Sequence, residues 1–250
     1  MKIRQLTDAP QVIGHRGAAG YAPENTLAAF QKGFELGVNW VEADVKTTID
    51  GVYVLMHDAT VDRTTNGTGP VTHLSIEEIK DLDTGSWFDL QYKDLQVPTL
   101  EELLGWAREK VGVCLDLDPG LGLTDIEKIV SQIQSFDLAQ QSLMISSNVE
   151  LLHHVKEVCP ELTTGILYQA ESDEILEQVA RANVNFLHPN RHTVTPDLIQ
   201  KAHTLGLPVA ASVFSDEQWI RQRLEWGLDT INCDHPDLPS IIWSGLSPAR

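Results

Sequence analysis

Val41-Glu42-Ala43-Asp44-Val45-Lys46-Thr47-Thr48-Ile49-Asp50-Gly51-Val52-Tyr53-Val54-Leu55-Met56-His57-Asp58 reads as two alternating strands folded about Asp50-Gly51. Asp-Gly between alternating apolar runs is a strong two-residue hairpin signal. With Asp50 and Gly51 as the turn, opposed residues have numbers that sum to 101, which sets His57 across from Asp44. Directly opposed residues share a face, with Cβ atoms roughly 4.5–5.5 Å apart. Glu42, two residues from Asp44, points to that face as well. Two carboxylates and an imidazole on one patch of sheet suit a hard cation and a proton carrier. Like charges side by side cost energy unless a cation offsets them.

Outward from this hairpin, short apolar runs alternate with amphipathic helical segments along the whole chain. The strands are expected at 11–14, 40–46, 112–117, 142–146, 163–168, 184–188, 208–213 and 230–233, with 52–57 as the extra hairpin strand. A helix follows each of the eight. Capping boxes are read at Thr99 with Glu102, Thr124 with Glu127, Ser147 with Glu150 and Ser215 with Gln218, and Thr195-Pro196 opens another helix. The first helix starts near Asn25, buries Leu27, Phe30 and Phe34, and stops at Gly37. Eight β/α units point to a closed TIM-type (β/α)8 barrel more than to an open doubly wound sheet. Residues 58–98 break the rhythm with Thr64-Thr65-Asn66-Gly67-Thr68-Gly69-Pro70, a short helix capped by Ser75 and Glu78, and Gly85-Ser86-Trp87-Phe88. They are expected to form a small insertion, after the second strand and its hairpin partner, packed over the C-terminal face of one 1–250 domain.

A formal net charge of −18, from 18 basic and 36 acidic residues, argues against nucleic acid or an anionic membrane surface as partner. An anionic substrate would need a metal or a placed Arg. Cys114, Cys159 and Cys233 have no metal-ligand spacing and read as small buried core residues in a reducing cytoplasm. The first residues hold no apolar segment of the secretory kind, and no apolar run is long enough to span a bilayer.

In such barrels the working residues gather at the C-terminal strand ends. There the chain places Gly14-His15-Arg16-Gly17, Glu42 and Asp44, His57, Asp116 and Asp118, His188-Pro189-Asn190 and Cys233-Asp234-His235-Pro236. Arg16, in a tight turn beside His15, reads as an anion clamp. Asp234 reads as the N-cap of the terminal helix. His73, His153, His154, His192 and His203 read as solvated.

At these residues the chain resembles the glycerophosphodiester phosphodiesterase family. The resemblance rests on Gly14-His15-Arg16-Gly17, Pro23-Glu24-Asn25-Thr26, Glu42-Ala43-Asp44-Val45, Asp50-Gly51, and His57-Asp58 followed by Asp62-Arg63-Thr64-Thr65. Val97-Pro98-Thr99-Leu100-Glu101-Glu102, Gly227-Leu228-Asp229 and Cys233-Asp234-His235-Pro236 extend it over essentially the whole chain. The resemblance implies a metal-dependent hydrolase that converts a small-molecule glycerophosphodiester to glycerol 3-phosphate and an alcohol. It implies Glu42, Asp44 and Asp116 as ligands of one divalent cation, Mg²⁺ or Ca²⁺, with Mn²⁺ also suited to oxygen ligands. It implies His15 and His57 as the acid–base pair and Arg16 as the phosphate ligand. Which histidine is the base, and whether water or a substrate hydroxyl attacks, stays open at this level. The chain departs from the family pattern in having Asp116 for Glu, Asp118 for Lys, and Ala211-Ser212-Val213-Phe214 for Trp-Thr-Val-Asn. Asp118, on the face of Asp116, is expected to join the metal shell. Two other readings are a phosphoester-binding barrel with impaired turnover and a different metal-dependent hydrolase on the same fold.

Overall fold

Strands buried on both faces read as near-continuous apolar runs, and these runs form the sheet. The computed structural model describes residues 8–168, 179, 183–211 and 215–246. The strands are β1 (Gln11–Gly14), β2 (Trp40–Thr47), β3 (Tyr53–Leu55), β4 (Gly112–Leu117), β5 (Ser142–Ser146), β6 (Thr163–Tyr168), β7 (Phe186–Pro189), β8 (Ala210–Ala211) and β9 (Thr230–Cys233). The helices are α1 (Leu27–Glu35), α2 (Ile76–Lys80), α3 (Leu100–Ala107), α4 (Leu123–Ser135), α5 (Val149–Val158), α6 (Pro196–Thr204), α7 (Glu217–Glu225) and α8 (Leu238–Leu246). The parallel strands run in the order β7-β6-β5-β4-β2-β1-β9-β8, and β3 pairs antiparallel with β2. A bridge between Leu187 and Val209 brings the two ends of this order together, with the Leu187 N–H donating to the Pro208 carbonyl at 2.9 Å. The result is a nearly closed (β/α)8 barrel, as expected. The segment that would hold the helix after β6 lies outside the described residues, as do Ser212, Val213 and Phe214.

The period of two sorts each strand into an inner and an outer row. On the outside, Val41, Ala43 and Val45 of β2 and Val113, Leu115 and Leu117 of β4 pack with Phe30 of α1, with α3 and with α4. A second outer layer joins Ile166, Leu187, Val209 and Ile231 to Ile199, Ile220 and Leu224 of α6 and α7. Inside, Ile13, Cys114, Leu143, Ile145, Phe186 and Ala210 fill the barrel. Glu42, Asp44 and Asp116 lie on the inner rows nearer the C-terminal strand ends, because Asp44 stands beside Asp116 in the β2–β4 register.

Several local expectations need correction. Thr99, Ser75 and Thr195 cap their helices as read. Helix α4 instead starts after Gly122, whose N–H donates to the Asp125 carboxylate. Asn148 caps α5 and Asp216 caps α7, so these helices begin one residue later than the Ser147 and Ser215 boxes imply. Phe34 is 38 % exposed and Leu27 half-buried, which leaves Phe30 as the anchor of α1. His203 is not solvated in isolation: its Nε2 lies 2.7 Å from Oδ2 of the fully buried Asp229.

The most consequential correction is the hairpin register. Val45 pairs with Leu55, Lys46 with Val54 and Thr47 with Tyr53, so opposed numbers sum to 100. The loop has three residues, Ile49-Asp50-Gly51, closed by the Thr48 N–H on the Val52 carbonyl at 2.9 Å. Gly51, at φ +80°, takes the left-handed position that a three-residue loop of this kind requires. A slip of one residue exchanges the faces of a strand. Met56, not His57, therefore stands across from Asp44, and its N–H donates to the Asp44 carbonyl at 3.0 Å.

Residues 58–98 hold α2 and two short 3-10 turns around a small cluster of their own, in which Val61, Val71, Ile79 and Val97 pack with Val54 and Met56. The segment is tied back to the strand-end loops. The Asp50 carboxylate accepts the Ile76 N–H at 3.1 Å, and the Tyr92 hydroxyl donates to the Tyr21 carbonyl at 3.2 Å.

Candidate active site

The turn after β1 is built on backbone constraints. Gly17, at φ +92°, donates its N–H to the Gly14 carbonyl at 3.0 Å, and a Cβ on it would lie 2.5 Å from the Ala29 carbonyl carbon. Arg16 and Asn25 also take left-handed conformations, at φ +48° and +57°. They face each other, with the Asn25 N–H donating to the Arg16 carbonyl at 3.0 Å. The loop thereby delivers three functional groups at once. The Arg16 N–H donates to Glu42 Oε2 at 2.8 Å. The Arg16 guanidinium pairs with Glu24 at 2.6 Å and lies 3.2 Å from Asp44 Oδ2. The His15 ring enters between Asp234, 2.6 Å from Nδ1, and Glu42, 4.0 Å from Nε2.

Each carboxylate of the inner row has a distinct environment. Glu42 is 2 % exposed, and burial together with the charges of Asp44 and Asp116 pushes its carboxyl well above the ordinary range. Burial and Asp44 do the same to Asp116, against the opposing pull of Arg16 and Lys46. Asp44 is gripped by Asn25, whose side-chain amide donates to Oδ2 at 2.7 Å and accepts the Asp44 N–H at 3.1 Å. One oxygen from each of Glu42, Asp44 and Asp116 lies within 4.8 Å of the others, the one such cluster of three among the described residues.

These three fit a divalent cation. Oxygens bound to one Mg²⁺ or Ca²⁺ at about 2.0–2.6 Å cannot lie more than about 4–5 Å apart, and this cluster meets that limit. Burying adjacent carboxylates without a counter-charge is costly. Burial works against the Arg16 charge too, yet Asp44, Glu42 and Glu24 outweigh it and hold the guanidinium firmly ionised. One guanidinium does not neutralise three carboxylates, and the donor set is all oxygen, the preference of hard cations.

The remaining expected residues divide. His57 does not share the patch through the hairpin pairing expected of it. It follows the last paired residue, is about half exposed, and contacts Asp58 through Nδ1 at 2.7 Å. It is joined to the carboxylates indirectly: Asp58 and Glu24 both bind Arg63, and Glu24 also binds Arg16. Asp118 is not in the cluster. It forms an ion pair with Lys46 and accepts the Gly120 N–H at 2.8 Å. Burial opposes its charge, but Lys46 and the Gly120 N–H hold its carboxyl below the ordinary range.

Two participants escape the sequence reading. Asp234 is not a helix cap, since α8 begins four residues later at Leu238. Its carboxylate binds His15 Nδ1 and accepts the Ser215 hydroxyl at 3.1 Å. Burial opposes its charge, but His15 holds the carboxyl below the ordinary range. Its place at the end of the last strand was the available signal. Asn25 reads from sequence as the start of a helix, yet it is 3 % exposed and serves Asp44. His188, also at a strand end, is buried inside the barrel and pushed down to about 4 by burial, so it is neutral at physiological pH.

Residues 15–238 match the profile of the glycerophosphoryl diester phosphodiesterase family. The chain belongs to this family. It is accordingly a hydrolase acting on glycerophosphodiesters. It is 34% identical over 229 residues to the glycerophosphodiester phosphodiesterase of Caldanaerobacter subterraneus subsp. tengcongensis, covering 90% of this chain and 94% of that one. It is 30% identical over 250 residues to the glycerophosphodiester phosphodiesterase of Bacillus subtilis, covering 90% and 84%. Among solved family structures, the phosphodiesterase of Oleispira antarctica in complex with the product sn-glycerol-3-phosphate superposes with a TM-score of 0.89. That match is at 30% identity over 94% of this chain and 97% of the other. No described helix is long and apolar enough to cross a membrane.

Proposed function

We propose that the chain hydrolyses glycerophosphodiesters to glycerol 3-phosphate and an alcohol with the aid of a divalent cation, Mg²⁺, Ca²⁺ or Mn²⁺, held by Glu42, Asp44 and Asp116. The observation that carries this reading is the buried carboxylate cluster with the His15 ring fixed against it. The substrate class also draws on the product bound to the Oleispira antarctica relative. When bound, the cation would polarise the phosphoryl group and acidify a hydroxyl beside it.

The protein's own groups supply the proton transfers. The Asp234 carboxylate accepts a hydrogen bond from Nδ1–H of His15, which leaves the Nε2 lone pair on the side of Glu42. In this reading His15 is the base, because its Nε2 faces the carboxylate cluster: it takes a proton from the attacking water as the new O–P bond forms. The bond from phosphorus to the alcohol oxygen breaks, and His57 returns a proton to that departing oxygen. The half-exposed position of His57 suits a leaving group that exits to solvent. Arg16 would bind a phosphate oxygen by exchanging part of its contact with Glu24 and Asp44. The 58–98 segment, tied to the loops after β1 and β2, would cap the mouth as part of one domain. Pairing of Asp118 with Lys46 removes the main argument for a barrel without turnover, because no uncompensated carboxylate stands at that position.

The three cysteines are free and buried, and with the strongly acidic balance they favour a cytoplasmic enzyme of lipid and glycerol metabolism with no nucleic-acid partner. Release of glycerol 3-phosphate from glycerophosphocholine, with and without exhaustive chelation, tests the reading. Release that depends on added divalent ion is expected. Release that survives chelation removes the cation, and no release from any glycerophosphodiester removes the activity.

A further inference from the structure

The row of β2 that carries Glu42 and Asp44 carries one more charged side chain, Lys46, two residues on and therefore on the same face. On the neighbouring strand the same step leads from Asp116 to Asp118, whose N–H still donates to the Val45 carbonyl at 3.4 Å. The Lys46 ammonium and the Asp118 carboxylate meet across this gap, and the Lys46 side chain is only 12% exposed. Asp118 is itself anchored, because its second oxygen accepts the Gly120 N–H at 2.8 Å. The ammonium is thus held at the β4 side of the barrel mouth, one step above the carboxylate cluster. It is close enough for its charge to act on Asp116.

An anion entering a barrel lined by carboxylates needs a cation that faces it. Arg16 approaches from the β1 side and already shares its guanidinium between Glu24 and Asp44. A lysine ammonium has three donors on a flexible stem, and Asp118 takes one of them. We infer that Lys46 is a substrate-binding residue: its ammonium binds a non-bridging phosphate oxygen, while Asp118 acts as a positioning residue that holds the stem at the mouth. This inference rests on the reading of the site given under the proposed function and names a residue of that same site.

The test uses the full chain at saturating Mg²⁺. Binding of sn-glycerol 3-phosphate and of inorganic phosphate is measured by calorimetry, KM and kcat with glycerophosphocholine, and Mg²⁺ affinity in the absence of phosphate. Lys46→Met is expected to weaken both phosphate ligands and to raise KM by roughly 10–100-fold, the range for a lost hydrogen bond to a charged group. It should change kcat less and not weaken Mg²⁺ binding. Lys46→Arg should recover most of the loss. The double variant Lys46→Met with Asp118→Asn separates a lost contact from repulsion by an exposed Asp118. It should stay weak, and recovery of wild-type binding overturns the inference. Unchanged phosphate binding in Lys46→Met, or in Lys46→Gln if the Met variant does not fold, overturns it too. Failure of the unsubstituted chain to hydrolyse glycerophosphodiesters strikes the functional reading instead. Normal turnover with an unmoved KM in the Lys46 variants strikes only Lys46.

Discussion

Two layers of charge sit two residues apart on the same pair of strands, and they solve the same electrostatic problem in opposite ways. In the lower layer, Glu42, Asp44 and Asp116 crowd together with their oxygens within 4.8 Å and too little positive charge to match. In the upper layer, Asp118 faces Lys46, and the charges cancel within one contact. Strand periodicity produces both layers, so periodicity alone does not tell a metal site from an ion pair. The difference lies in what stands on the neighbouring strand at each step. Where β2 and β4 both offer acids, the fold retains an unmet demand for a cation; where they offer opposite charges, no metal is called for and the ammonium keeps donors that Asp118 does not use.

The sharpest way to establish what the lower layer serves is to remove its proposed proton carriers. His15→Ala and His57→Ala should each lower kcat by roughly 10²–10⁴-fold, the range for a lost general acid or base, with Mg²⁺ binding retained. Asp234→Asn, which offers an amide where Nδ1–H needs an acceptor, should cost turnover on a comparable scale. Steady-state rates beside metal titrations read both effects. Near-normal turnover in one of these variants removes that residue from the mechanism.

A second test attacks the demand itself. The Glu42 carboxyl is raised by burial and by its acidic neighbours, and Asp116 likewise. A carboxyl raised in the folded state contributes its full stability below its unfolded pKa of about 4, and that stability is lost as pH climbs toward the folded value. The metal-free protein should therefore be less stable at pH 8 than at pH 5. Added divalent ion should reverse this, by about 2.7 kcal/mol at a concentration 100 times Kd. Glu42→Gln should melt higher than the parent in EDTA at pH 8, match it near pH 4, and bind Mg²⁺ more than about 100-fold more weakly, beyond the loss usual for an outer-shell partner. A variant less stable than its parent at pH 8 without metal would mean the cluster is already satisfied.

The smallest effect is expected in the upper layer. Asp118→Asn leaves Mg²⁺ affinity within about fivefold of the parent, in line with the modest worth of a partly exposed pair. Metal titration checks it, and a loss comparable to that in Glu42→Gln would return Asp118 to the metal shell.

Short apolar runs alternating with amphipathic helices made the barrel legible, because eight such β/α units close a parallel sheet. The alternation of Val41-Glu42-Ala43-Asp44-Val45 put Glu42 and Asp44 on one face, while Asp116 joined them through the family resemblance. The hairpin register was not legible. Asp50-Gly51 closes a two-residue or a three-residue loop with equal ease, and only the observed Thr48–Val52 pairing decides between them. Asp234 was missed because its meaning depends on His15, 219 residues away in sequence. Asn25 was read by its local role at a helix start, and nothing local reveals that its amide turns back to Asp44.

The apolar plug beneath the carboxylates gives the reaction a floor. Among the described residues, Ile13, Cys114, Leu143, Ile145 and Phe186 fill the middle of the barrel as a packed core rather than a pore. The carboxylate cluster lies on the side of this plug that faces the C-terminal strand ends, the side from which a substrate would approach. Under the proposed reaction, the alcohol and the phosphate product would share the entrance that the substrate uses.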